Sequence, residues 1–414
     1  MKAITIVGAA LGLTLFLILP GVADPGQIYG KIYTSNNEVL EGAIRWDKNE
    51  VSWVDILDGY KDLDHRHPRK YRDEDRRNRR ITIMGLTVYS EGSDKNIFHG
   101  SDWTDMAQSG IRIGHIKTLI PDGDDQVELI LKSGQKLRLQ NGSTDIGGDN
   151  REILIEDKSE GTLELYWDDI ERIEFEPATN AESKFGKRLY GKVATRGGEK
   201  YTGFIGWDVD EAYDTDILDG RDDRHSRKIE FSRIKSIERT SSQSSRVILK
   251  DGKELELEDS NDIDSGNRGI AISDPVLGRI TVNWDEFDII EFQDPPPGTA
   301  YSSFDGGRKL HGTVFTEDGD KFTGDIKWDD DEEYTWELLD GSSGDIDFDI
   351  EFGFIKSIEK ISSRSSRVTL KDGRIFKLKD SNDVDSDNKG IIVRTGNDEV
   401  DVDWEDFGKV EFSE

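Results

Sequence analysis

The chain has no cysteine among its 414 residues. That excludes disulfides and excludes an anchor built on an acylated N-terminal cysteine. A protein of this kind working outside the cell must be held together by its own core. Positive charge is also in deficit: 55 Lys and Arg stand against 87 Asp and Glu, a formal charge of −32. Such a surface repels nucleic acid and anionic lipid, favours solubility, and suits cations or basic partners. No HExxH, GxSxG, phosphate loop or dinucleotide fingerprint occurs, and the 6 histidines form no metal-ligand spacing. Hydrophobic residues are few at 34%, yet 42 Gly, 17 Phe, 11 Tyr and 9 Trp recur periodically. That pattern belongs to small ordered β-units with thin cores, and disorder does not produce it.

Only one long apolar run exists, and it lies at the N-terminus. Lys2 precedes an apolar stretch from Ile4 to Leu19, followed by the small residues Gly21-Val22-Ala23. This is the layout of an export signal, with cleavage expected after Ala23. The run is shorter than the ~20 residues a spanning helix needs, and Asp24 follows at once. The mature chain is expected to have no membrane span and to be periplasmic, cell-surface or extracellular.

What is present is repetition. The stretch 189–295 recurs as 310–412, and more loosely as 28–175. Each copy divides into two halves with a shared ending. Ile229-x-Phe231-x-x-Ile234-x-x-Ile237 closes one half and Val282-x-Trp284-x-x-Phe287-x-x-Ile290 the other. The ending reads as a strand with alternating inward residues, one helical turn and a final strand. Six units of about 50 residues in three pairs follow. The expected organisation is a signal peptide at 1–23, a first block at 24–176 with an insertion at 71–108, and a linker at 177–187. A second block at 188–293, a Pro/Gly linker at 294–308 and a third block at 309–414 complete it. Pro295-Pro296-Pro297 in the second linker predicts a stiff spacer, and the blocks a rod or arc.

A tight hairpin opens the second unit of each pair. Val247, Leu249, Leu255 and Leu257 have the same parity on both sides of Asp251-Gly252. Keeping all four on one face requires an odd loop, and three residues with a left-handed Gly satisfy this. Val368, Leu370, Phe376 and Leu378, and Leu129, Leu131, Leu137 and Leu139, predict the same loop.

Five short strands, a tight hairpin and a turn before the last strand resemble SH3-like or Sm-like small β-barrels. The segment Gly198-x-x-Tyr201-x-Gly203-x-Ile205-x-Trp207-Asp208 is similar to the first Sm motif, a turn glycine followed by a bent strand. The resemblance implies an all-β fold of six small five-stranded barrels in three tandem pairs. It does not extend to RNA binding: the Sm Met-Asn pair and late Arg-Gly dipeptide are missing.

Several motifs are candidates for chemistry. Trp-Asp or Trp-Glu closes a strand in every unit, at Trp46, Trp167, Trp207, Trp284, Trp328 and Trp404. The expected role is a core Trp with its acid facing water. Leu57-Asp58-Gly59, Leu218-Asp219-Gly220 and Leu339-Asp340-Gly341 read as turns. Asp259, Asn261, Asp262 and Asp264, and Asp380, Asn382, Asp383, Asp385 and Asp387, supply dense hard-oxygen donors of the kind Ca²⁺ requires. Their register is not an EF-hand, since no Gly follows the third donor and no Glu sits twelfth. The alternative is a solvated Asx-turn loop.

Arg66, His67, Arg69 and Lys70 in the first block match Arg224, His225, Arg227 and Lys228 in the second. Basic loops on an acidic protein are docking points for an anionic partner or the acidic face of another subunit. In the third block Asp345 and Asp347 replace them. The insertion adds RDEDRRNRR, an apolar strand-like run from Ile81 to Tyr89, and Trp103.

Together these features point to an exported, non-catalytic repeat protein. It would act as a multivalent binding or structural module, with a protein or surface polymer of the cell envelope as partner. It needs no cofactor. A Ca²⁺-stabilised adhesin or matrix component is the second reading. An exported enzyme with its site in the insertion, near His99, Asp102 and Asp105, is the third.

Overall fold

The computed structural model describes residues 24–62, 80–83, 86–89, 106–140, 142–178, 183–223, 225–396 and 398–413. The protein is all-β. The helical elements among the described residues are single 3-10 turns. In the first block the strands are β1 (Tyr29–Thr34), β2 (Val39–Trp46), β3 (Ile56–Asp62), β4 (Arg80–Ile83), β5 (Leu86–Tyr89) and β6 (Met106–Arg112). They continue as β7 (Ile116–Pro121), β8 (Gln126–Leu131), β9 (Lys136–Gln140), β10 (Ile153–Asp157), β11 (Gly161–Leu165) and β12 (Ile170–Phe175). Ten of them form one sheet in the order β11-β10-β2-β1-β12-β7-β8-β9-β3-β6. The insertion supplies a separate hairpin, β4 with β5.

The strands between Tyr190 and Phe292, and between His311 and Phe412, follow the same ladder. Those two ladders join edge to edge, Gly278–Val282 against Ile346–Glu351, as one 20-stranded sheet.

Neither large sheet closes on itself, and pairing does not stay within contiguous units of the kind the sequence suggested. β10 pairs with β2 and β12 with β1, whereas β3 pairs with β6 and meets β9. The halves of each block therefore exchange strands. A single small unit buries too little surface to stand alone, and the exchange fuses two thin cores into one. Glycine makes the approach possible. A Cβ on Gly42 of β2 would lie 1.8 Å from the Glu156 carbonyl oxygen of β10, and one on Gly324 would lie 2.1 Å from that of Arg394.

The three hairpins form as parity requires. Val247 opposes Leu255, Leu249 donates its N–H to the Lys253 carbonyl, and Gly252 has φ +87°. Gly134 and Gly373 match it at φ +88° and +92°. The turn before the closing strand is a 3-10 turn in four of the six units, at Ile113–His115, Trp167–Asp169, Phe231–Arg233 and Phe352–Phe354, and a plain turn at 284–286 and 404–406.

The expected rod is replaced by a closed triangle of three mutual contacts. Between the first and second blocks, Arg188 forks onto Asp55 at 2.6 and 2.9 Å, and Arg45 meets Asp216 at 2.8 Å. Between the second and third, Arg279 meets Asp349 at 2.6 Å and Arg374 meets Asp274 at 3.1 Å. Between the third and first, Lys61 meets Glu337 at 2.5 Å and Arg112 meets Glu351 at 3.3 Å. Apolar packing follows suit: one core runs through the second and third blocks, and Trp336 of the third packs into the core of the first.

The second linker is likewise no spacer. Tyr301 and Phe304 are buried in the first block's core. The Tyr301 hydroxyl donates to the Ile116 carbonyl at 2.7 Å, and its ring lies 4.4 Å from that of Trp53. The Gly306 N–H donates to His115 Nδ1, and Ser133 Oγ to the Gly306 carbonyl. Residues 298–307 thus form a strap seated on the first block. Tyr301→Ala is therefore expected to cost about 3–5 kcal/mol in urea unfolding. Tyr301→Phe, which loses only the bond to Ile116, is expected to cost about 1 kcal/mol. A free spacer would register neither.

Candidate functional site

The carboxylates that matter sit under the first-unit Trp-Asp turns. β2 ends at Trp46, and the chain reverses through Asp47 and Lys48, at φ 43° and 72°, so that Glu50 pairs back onto Trp46. Left-handed backbone at non-Gly residues is uncommon, and Asp tolerates it best because its short side chain bonds locally. The turn recurs at Asp208-Val209 and Asp329-Asp330.

Its acid does not face water. Asp47, Asp208 and Asp329 are fully buried, which corrects the expectation for the first units; Asp168, Asp285 and Glu405 of the second units are exposed. Asp47 Oδ1 accepts the Arg151 N–H at 2.6 Å and Oδ2 the Arg151 guanidinium at 2.7 Å. Asp208 does the same with Arg268, and Asp329 accepts the Lys389 N–H.

A second buried acid follows from the Asp-rich loop. Trp46 Nε1 donates to the Asp145 carbonyl at 2.9 Å, while Asp145 Oδ2 accepts the Asp58 N–H at 2.7 Å. Trp207, Asp262 and Asp219 repeat this wiring, as do Trp328, Asp383 and Asp340. This is why the Leu-Asp-Gly segments are strand interiors and not the turns expected. Their N–H is claimed by a carboxylate, and their Gly admits a neighbouring side chain: a Cβ on Gly59 would lie 2.7 Å from Ile146 Cδ1.

The third acid, Glu50, Glu211 or Glu332, is the residue sequence reasoning missed. Glu50 and Glu332 are buried and Glu211 half-buried, and each has a solvent-shielded Oε2 without a hydrogen-bond partner. The spacing Trp-Asp-x-x-Glu, present in all three first units, was the available signal. Burial, reinforced by neighbouring carboxylates, pushes Glu50 and Glu332 well above the usual carboxylate range and Glu211 to about 10.

The donors proposed for Ca²⁺ in the loops diverge. Asn261 and Asn382 turn inward onto Asp208 and Asp329, beside Asp262 and Asp383. Asp264 instead accepts the Gly266 N–H at 2.7 Å, and Asp385 the Asp387 N–H at 2.9 Å, as Asx turns. Asp259 faces Arg221 and Asp380 faces Lys379, out in solvent.

Of the basic residues, Arg66, His67, Arg69, Lys70 and Arg224 lie outside the described residues, as do Trp103, His99, Asp102 and Asp105. His225, Arg227 and Lys228 lie on the strand His225–Glu230. His225 and Lys228 are exposed; Arg227 meets Asp222 at 2.9 Å and Lys228 meets Asp219 at 3.4 Å. Among the described residues this strand pairs only with Ile217–Asp222, so it ends the 20-stranded sheet. Its third-block counterpart, Ile346–Glu351, is covered by Gly278–Val282, and there Asp349, at the register position that Lys228 holds in the second block, meets Arg279.

Comparison with protein-family models, curated proteins and solved structures found no match to this chain. Among the described residues no helix is long and apolar enough to cross a membrane.

Burial raises Asp383 to about 7 and Asp262 to about 6, against ordinary values near 4. The folded protein thus holds these protons more tightly than the unfolded chain. Their stabilising contribution is complete below about pH 4 and is lost as pH rises through about 6 to 7. Asp383→Asn removes this cost while keeping an acceptor for Asp340. Discounted for lost attraction to Lys61 and Lys389, the expected gain at pH 8 is on the order of 1–3 kcal/mol. Thermal melts at pH 4 and pH 8 in chelator check it: the variant should gain at pH 8 and not at pH 4.

Proposed function

We propose that this is an exported, non-catalytic repeat protein that acts as a multivalent binding or structural module at the cell envelope or outside the cell. The N-terminal pattern supports export, and Asp24, first after the expected cleavage point, accepts N–H bonds from Gly26 and Gly298. The buried ion pairs between blocks support a rigid body whose loops are displayed at fixed spacing. Linked sites of that kind gain avidity without new contacts. We also read each ladder as two five-stranded SH3-like or Sm-like modules, β11-β10-β2-β1-β12 and β7-β8-β9-β3-β6, six in the whole chain. The short strands and tight hairpins support that reading.

The observation that carries the functional reading is the basic edge His225–Glu230. Unpaired edges invite strand addition, and proteins commonly blunt them with charge. Here the charge is of one useful sign on a protein otherwise acidic. The strand Asp398–Val402, at the other end of the same sheet, carries Asp398, Glu399 and Asp401. In the ladder it is the counterpart of Gly278–Val282. The internal junction pairs Arg279 with Asp349. Laid on that register, Asp398–Val402 of one molecule would set Glu399 against Lys228 of the next, with the charges exchanged. A head-to-tail contact of this kind does not close and builds arrays.

Sedimentation velocity of residues 24–414 tests this. Concentration-dependent association that weakens with salt is expected, and Arg227→Glu with Lys228→Glu should abolish it. A monomer at every concentration in low salt, or an unaffected variant, rejects the edge as the docking surface.

A further inference from the structure

One group of carboxylates goes beyond this reading. Asp47, Glu50 and Asp145 are all buried, and each places a carboxylate oxygen within 4.8 Å of the others. Two of the three leave an oxygen with no hydrogen-bond partner: Glu50 Oε2 and Asp145 Oδ1. The remaining oxygens are occupied. Glu50 Oε1 accepts from Asn49, Asp145 Oδ2 from the Asp58 N–H, and both Asp47 oxygens from Arg151. The orphaned atoms therefore have no protein donor to turn to, and a buried polar oxygen left so is costly.

We propose that Asp47, Glu50 and Asp145 form a binding site for a hard divalent cation of the Ca²⁺ class. Charge supports it. With the ion displacing the protons that burial favours, three carboxylates carry three negative charges, the Arg151 guanidinium, which Asp210 also shares, returns part of one, and a doubly charged ion offsets most of the rest. Spacing is compatible with it: the three oxygens lie within 4.8 Å of one another, near enough for one ion with Ca²⁺–O bonds of about 2.4 Å to draw them together. Donor type narrows the class, because the site offers oxygen alone and softer metals favour nitrogen or sulfur. Mg²⁺ fits less well, since it demands near-ideal octahedral geometry and keeps several waters, and this site is enclosed.

The site has a structural purpose in the same geometry. Asp47 caps the left-handed turn after β2, Glu50 closes that turn, and Asp145 reaches from the loop between β9 and β10 to the N–H of β3. A cation would tie three separate segments of the first block at one point. The other blocks share the wiring, yet among the described residues only this set brings all three carboxylates so close. One difference is local: Asn261 and Asn382 fill the place beside Asp208 and Asp329 where the first block has Thr144.

The test uses residues 24–414 stripped with EDTA and titrated with TbCl₃, then with CaCl₂ as competitor. Trp46 bonds to Asp145 and so serves as the sensitiser for Tb³⁺ emission. Saturable emission displaced by CaCl₂, together with a rise in melting temperature in CaCl₂, is expected. Glu50→Gln should weaken Ca²⁺ binding by about tenfold or more. If Glu50→Gln does not fold, Glu50→Asp replaces it and should bind more weakly than the parent. Asp262→Asn, in the second block, should bind as the parent does. No Ca²⁺-displaceable emission with an unchanged melting temperature in the parent protein overturns the proposal. So does a folded Glu50 variant that binds as tightly as the parent.

Discussion

The architecture depends on the Arg279 guanidinium. It comes from the second block, meets Asp58 of the first at 2.7 Å and Asp349 of the third at 2.6 Å, and no side chain of the three is more than 16% exposed. An unpaired charge in that position would be prohibitive, so its two carboxylates must arrive together. The backbone ensures this for one of them, because Arg279 and Asp349 oppose each other in the strand pairing that joins the second and third blocks. Asp58 is delivered by β3, whose N–H is fixed at that residue by Asp145. Each block thus contributes one group to a single ion cluster. Lys61 and Arg112 make further pairs at the seam of the first and third blocks, Arg188 at that of the first and second, and Arg374 at that of the second and third.

Buried ion pairs give specificity of arrangement more dependably than they give stability. That suits a chain made of near-copies, where apolar faces alone would let any block pack on any other. The basic partner differs where the acid repeats. Asp55 and Asp216 occupy one position in two blocks and Glu337 occupies it in the third; each binds a cationic residue of a different block. The strap 294–308, with Tyr301 and Phe304 sunk into the first block, settles which neighbour is which.

Much of this was legible in the sequence, and the boundary has a physical cause. Hairpin loops followed from parity, because side-chain alternation leaves only odd loops at Asp251-Gly252 and its two counterparts. Core Trp residues were legible for the same reason. Strand exchange was not, since alternation says which face a strand buries and nothing about which edge it meets. Only Gly42, Gly203 and Gly324 hinted that β2 and its counterparts have a backbone pressed close against them. The acids after Trp46, Trp207 and Trp328 read as solvent-facing because an isolated Asp usually is. Their burial depends on donors about a hundred residues away in the first block, and Trp-Asp-x-x-Glu was the one local sign. Block packing was illegible altogether, because a Pro-rich linker looks the same whether it spans solvent or lies in a groove.

The central claim is that interlocked buried charges make three repeats one cooperative body. Differential scanning calorimetry of residues 24–414 addresses it directly. A single transition is predicted, with the calorimetric enthalpy equal to the van't Hoff enthalpy. Two or three resolved transitions, or a calorimetric enthalpy that is a multiple of the van't Hoff value, would show the blocks unfolding independently and contradict the account.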